Sequence, residues 1–194
     1  MILSLGALVR VGLLLLLAVV LQLSTLSQIG IVGGGQADVV VLVVAAVAFY
    51  AGSVSGCATG FAAGFLLDLA SGATMGASSL VLTAVGYGVG RFREQRDASH
   101  GLLPIPVGAA ATAGWVVGFA AVSFMLDVGA RVSPLVFRDM VVAVLLNALL
   151  ALPVFAGCRR VLRPSLRVDP VEVRRRRQQE PRETGPLGLR GIEV

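Results

Sequence analysis

The chain has 194 residues, of which 56% are hydrophobic and only 14% charged, with a mean hydropathy of +0.88 and a formal net charge of +5. Soluble domains carry about 25% charged residues, so a water-soluble globular domain is excluded. From Arg159 onward ten arginines face five acids, whereas six face six before it, so the basic charge belongs to a tail and is not a nucleic-acid footprint.

The first apolar run, "VGLLLLLAVVLQLS", follows Arg10 and predicts a span over 11–27. A bilayer core about 30 Å thick takes roughly 20 helical residues. No small-x-small cleavage site follows in "QLSTLSQIG", which argues against a removable signal peptide. No residue from Val39 to Leu67 is charged, too long a run for one span. "AGSVSG" breaks it, because Gly and Ser weaken a helix interior, giving short helices over 38–52 and 54–70. "SGATMG" is a turn before a span over 74–90, and "RFREQRDASHG" is a polar loop. The next span covers 103–126, with Pro104 and Pro106 in its first turn. Ser133-Pro134 reads as an N-cap with proline at the first helical position, opening a last span over 134–158. Pro153 is expected to kink that span near its end.

Arginine placement orients this layout. With the N-terminus inside and six crossings, Arg10, the loop bearing Arg91, Arg93 and Arg96, and the whole tail are cytoplasmic, and only Arg131 and Arg138 lie outside. The expected fold is an all-α polytopic membrane protein with about six transmembrane helices over 1–163 and both termini cytoplasmic. Residues 164–194 form a basic tail of disordered composition. Its "RRRR" either meets anionic lipid headgroups, at about 1 kcal/mol per residue, or simply anchors the topology.

Catalytic chemistry finds no parts. The chain has no lysine and one histidine, His100, so there is neither a Walker A loop nor a Schiff base, and no metal-ligand pair or Ser-His dyad within the spans. The cysteines Cys57 and Cys158 lie far apart in apolar surroundings and form no disulfide framework or metal pair. "GSVSG" has Val54 at its centre, not a nucleophilic serine, and "GYGVG" lacks the strand that a phosphate loop requires. The expectation is no enzyme, no cofactor and no metal.

Packing is the stronger signal. Gly56, Gly60 and Gly64 recur at intervals of four, which clears side chains from one helix face. Lipid supplies no hydrophobic drive between helices, so close backbone contact must hold them. Gly86 and Gly90, and Gly114 and Gly118, repeat the pattern in the next two spans. A tight core of spans three to five follows, with the Leu/Val-rich first span outside.

The polar residues of the spans are few. Asp68 lies toward the outer end of span three, where an isolated charge at the bilayer centre would cost at least about 2.5–3.5 kcal/mol. Three readings stand: a solvated interfacial residue, a hydrogen bonder to the following turn, or a binding or proton-handling carboxylate. Arg138 and Asp139 sit at the same outer rim, where an Asp68–Arg138 pair is sterically reasonable. Asn147, at mid-span, either joins helices or binds a ligand, helix joining being the commoner role.

Residues 36–92 and 134–163 resemble the rod shape-determining protein MreD family. The shared features are an acidic helix start at Asp38, an apolar run, a Gly-Phe-x-x-Gly-x-x-x-Asp motif at Gly60, Phe61, Gly64 and Asp68, the turn glycine Gly76, and Gly86-Tyr87. Asn147, Pro153 and the arginines from Arg159 match the family's last helix. Ala37 stands where relatives carry proline, the Gly52–Ser55 turn lacks a basic residue, and the tail after Asp169 is long. The resemblance implies a multi-pass scaffold of the bacterial cytoplasmic (inner) membrane, within the elongation machinery that organises lateral peptidoglycan synthesis. It implies as partners an MreC-like protein first, then MreB, RodA and a class B penicillin-binding protein. It also implies a fold similar to the substrate-binding subunits of energy-coupling-factor transporters. A rival from another class follows: a small-molecule binding subunit of a vitamin-type transporter, with Asp68 and Asn147 lining its pocket.

Overall fold

The computed structural model describes residues 5–26, 38–72, 74–95, 103–126 and 134–162. These form six α-helices and no strand. They are α1 (Leu5–Leu21, continued by a π-helical turn, Gln22–Leu26), α2 (Val39–Ala51), α3 (Ser53–Ser71), α4 (Ala77–Glu94), α5 (Pro104–Met125) and α6 (Pro134–Leu162). The tail, Arg96, His100, Arg131 and the Ser133 N-cap lie outside the described residues. By length and composition α3, α5 and Phe137–Leu162 of α6 can cross a membrane, and α1 and α2 contribute shorter apolar helices.

α2 is the centre of the bundle and packs against every other helix. Its sequence, VVVLVVAAVAFYA, is apolar all round, and every residue from Val40 to Phe49 is buried. A helix with no polar face suits either lipid or a protein interior, and here the other five helices enclose it. This corrects the expected core of spans three to five: the most enclosed helix is the second. α1 lies outside as expected. It buries Val11, Leu15, Ala18 and Val19 at helical spacing and exposes Leu13, Leu16, Leu17 and Val20.

The break within the uncharged run falls on one residue. Gly52 takes φ +92°, a left-handed value that favours glycine, and joins α2 directly to α3. α4 runs on to Glu94, so the polar loop expected from Arg91 begins later. α6 continues through Pro153 to Leu162.

Candidate functional site: a doubly locked helix pair and a buried polar hub

α3 and α4 make the most intimate contact in the bundle. A Cβ added at Gly56 would fall on the Gly86 carbonyl, one at Gly60 on the Leu82 carbonyl, and one at Gly64 on the Ser79 main chain. From the other side, a Cβ at Gly86 would meet the Gly56 carbonyl and one at Gly90 the Ser53 main chain. The backbones touch over the whole length, which only side-chain-free positions allow. Phe61 lies on the opposite face, 59% exposed, with its ring stacked 6.5 Å from Phe65.

This closeness explains Asp68. Its side chain is 1% exposed. Oδ2 accepts the Gly76 N–H at 2.8 Å and Oδ1 the Ser78 N–H at 3.2 Å. Those groups open α4, where main-chain donors lack intrahelical partners and the helix dipole favours an anion. Gly76 serves the turn through its backbone, at φ +98°, with open space where a Cβ would stand. Of the three readings of Asp68, the geometry matches the hydrogen bonder to the following turn. It does not match the expected outer-rim pair: Asp68 is occupied by main chain, Arg138 is exposed, Asp139 is half-buried, and no ion pair joins them among the described residues.

The other end carries the mirror device, which the sequence reading missed. Glu94, at the end of α4, accepts the Ser53 N–H at 2.8 Å and the Ser53 hydroxyl at 2.7 Å, and so caps the start of α3. These hydrogen bonds from Ser53 hold the Glu94 carboxyl below its ordinary pKa. Each helix therefore lends a carboxylate from its C-terminal end to the N-terminus of its partner, with the glycine face between. Because Asp68 is buried, Asp68→Ala leaves two main-chain donors unpaired, for a loss of about 2 kcal/mol, and Asp68→Asn recovers part of it. Thermal unfolding in mild detergent measures both, and exchanging the charges of Asp68 and Arg138 is expected not to rescue either single change. Glu94 is solvent-facing, so Glu94→Gln should lower the unfolding temperature by only a small fraction of the Asp68→Ala shift in the same assay.

Gly114 and Gly118 do not repeat the device. Gly114 is exposed, and a Cβ there would meet only the Val85 side chain, at an ordinary 3.5 Å. At Gly118 the neighbour is the Val81 side chain, not main chain. The glycine of α5 that packs inward is Gly108, against Ala151 and Leu42.

A second constellation surrounds the start of α2. The Asp38 N–H donates to Asn147 Oδ1 at 3.1 Å, and the Val40 N–H to Gln22 Oε1 at 3.0 Å. Gln22 Nε2 donates to Asp38 Oδ1 at 2.9 Å. Asn147 Nδ2 donates to Thr112 Oγ1 at 3.0 Å, and the Thr112 hydroxyl donates to the Gly108 carbonyl. Asn147 and Thr112 are fully buried. The hub has a plain cause. α2 has 13 residues, about 20 Å, and its first turn lies beside the middle of α6; within a bilayer its N–H groups would need partners from the bundle. Side chains from α1 and α6 supply them, and the π-helical turn beginning at Gln22 places that residue for the task. Asn147 thus acts as a helix joiner, and it shares no hydrogen-bond partner with Asp68.

The model for the family described as rod shape-determining protein MreD matches residues 4–161. The chain belongs to the MreD family. No curated protein and no solved structure matches it. MreD membership carries a role in rod shape determination, in association with the rod-shape complex, and places the chain among membrane proteins. MreD is a family of shape-determining structural proteins, not a known enzyme family. Several of the MreD motif positions named from the sequence have a structural place in this chain: Asp38 and Asn147 in the hub, Gly60, Gly64 and Gly86 in the backbone contact, Phe61 exposed outside it, and Asp68 and Gly76 in the α4 cap. Among the described residues no group of three metal-ligating side chains gathers.

Proposed function

We propose that the chain is a six-span scaffold of the cytoplasmic membrane that holds partner membrane proteins of the cell-elongation complex and so supports lateral peptidoglycan synthesis. The observation that carries this reading is the use made of the polar groups. Asp68, Glu94, Asp38 and Asn147 are all consumed in fastening helices to one another. What remains facing outward is a set of apolar helix faces on a stiffened frame, suited to binding other membrane segments. An MreC-like protein is the first partner, with MreB, RodA and a class B penicillin-binding protein reached through the same assembly. The arginine distribution supports cytoplasmic termini. The basic tail meets anionic headgroups on that side.

The test is affinity capture of the tagged chain from gently solubilised membranes. Recovery of an MreC-like protein supports the scaffold. Recovery of an ATPase module without wall-synthesis proteins supports the transporter-subunit reading, and with it the likeness to energy-coupling-factor binding subunits. That rival is less favoured because Asp68 and Asn147, its expected pocket residues, belong to separate hydrogen-bonded groups.

A further inference from the structure

We draw no further inference here: the strongest candidate, the arginine-rich end of the bundle where Arg93 lies over the Phe49 ring and the exposed Arg159 and Arg160 close α6, carries nothing beyond the cytoplasmic orientation already proposed, because nothing in the structure shows what covers it.

Discussion

Gly60→Leu is expected to abolish accumulation of folded protein. Overpacking a core with a larger side chain costs about 1–3 kcal/mol when the neighbours are side chains that can shift. At Gly60 the obstacle is the Leu82 carbonyl, part of a helix that also meets Gly56 and Gly64 through main chain. Relief requires moving α4 as a body. Moving it withdraws Gly76 and Ser78 from Asp68 and Ser53 from Glu94, so both end locks are strained by one substitution in the middle. The total should exceed the usual overpacking range and consume a large share of a native stability of about 5–15 kcal/mol. Gly60→Ala should lie between leucine and the unaltered protein. Gly12→Leu is the control, because Gly12 is exposed on α1 with open space where its Cβ would stand. The measurement is the amount of monodisperse protein recovered from membranes. Equal recovery of Gly60→Leu and Gly12→Leu would show that the α3/α4 contact is not as close as described.

Much of this pair was legible in advance because its signals are local. A glycine at every fourth position marks a helix face whatever the fold, and a run with no charge must be broken somewhere; Gly52, between Ala51 and Ser53, is where the backbone turns left-handed. Spacing alone misled at Gly114 and Gly118, which have the same interval as Gly86 and Gly90 but no opposing main chain. Asp68 stood open among three roles because its partners are main-chain N–H groups, which leave no mark in a sequence. Glu94 was hidden for the same reason, and because "RFREQR" reads as a solvated loop. The central place of α2 followed from its lack of any polar face, a property that a lipid-facing span shares; only tertiary contact separates the two. The hub was beyond sequence reasoning in its pairings. Asp38 and Asn147 are 109 residues apart, and nothing local brings Gln22 or Thr112 to them.

Asn147→Leu should destabilise the bundle by about 2–3 kcal/mol, the cost of leaving a buried donor unpaired. The groups it abandons differ. The Asp38 carbonyl still accepts the Leu42 N–H, and the Thr112 hydroxyl still donates to Gly108. The Asp38 N–H has Asn147 Oδ1 as its partner, and a bilayer interior would offer it no water in exchange. Most of the loss therefore comes from one main-chain donor at the start of α2. Thr112→Val, by contrast, leaves Asn147 Nδ2 with the Asp38 carbonyl and should be nearly neutral. Asn147→Asp keeps the acceptor but removes the donor and sets a second carboxylate beside Asp38, so it should be worse than leucine. Gln22→Leu orphans the Val40 N–H and also strips a donor from Asp38, the residue that Asn147 holds, so the two changes share a partner and their combined effect should depart from the sum by about 0.5 kcal/mol or more. Thermal unfolding of six proteins, the unaltered chain and the Gln22→Leu/Asn147→Leu double variant included, gives the order and the coupling directly. If Asn147→Leu unfolds with the unaltered protein yet fails to support rod shape, the hub acts on a ligand or partner rather than on the fold, and the structural assignment of Asn147 is wrong.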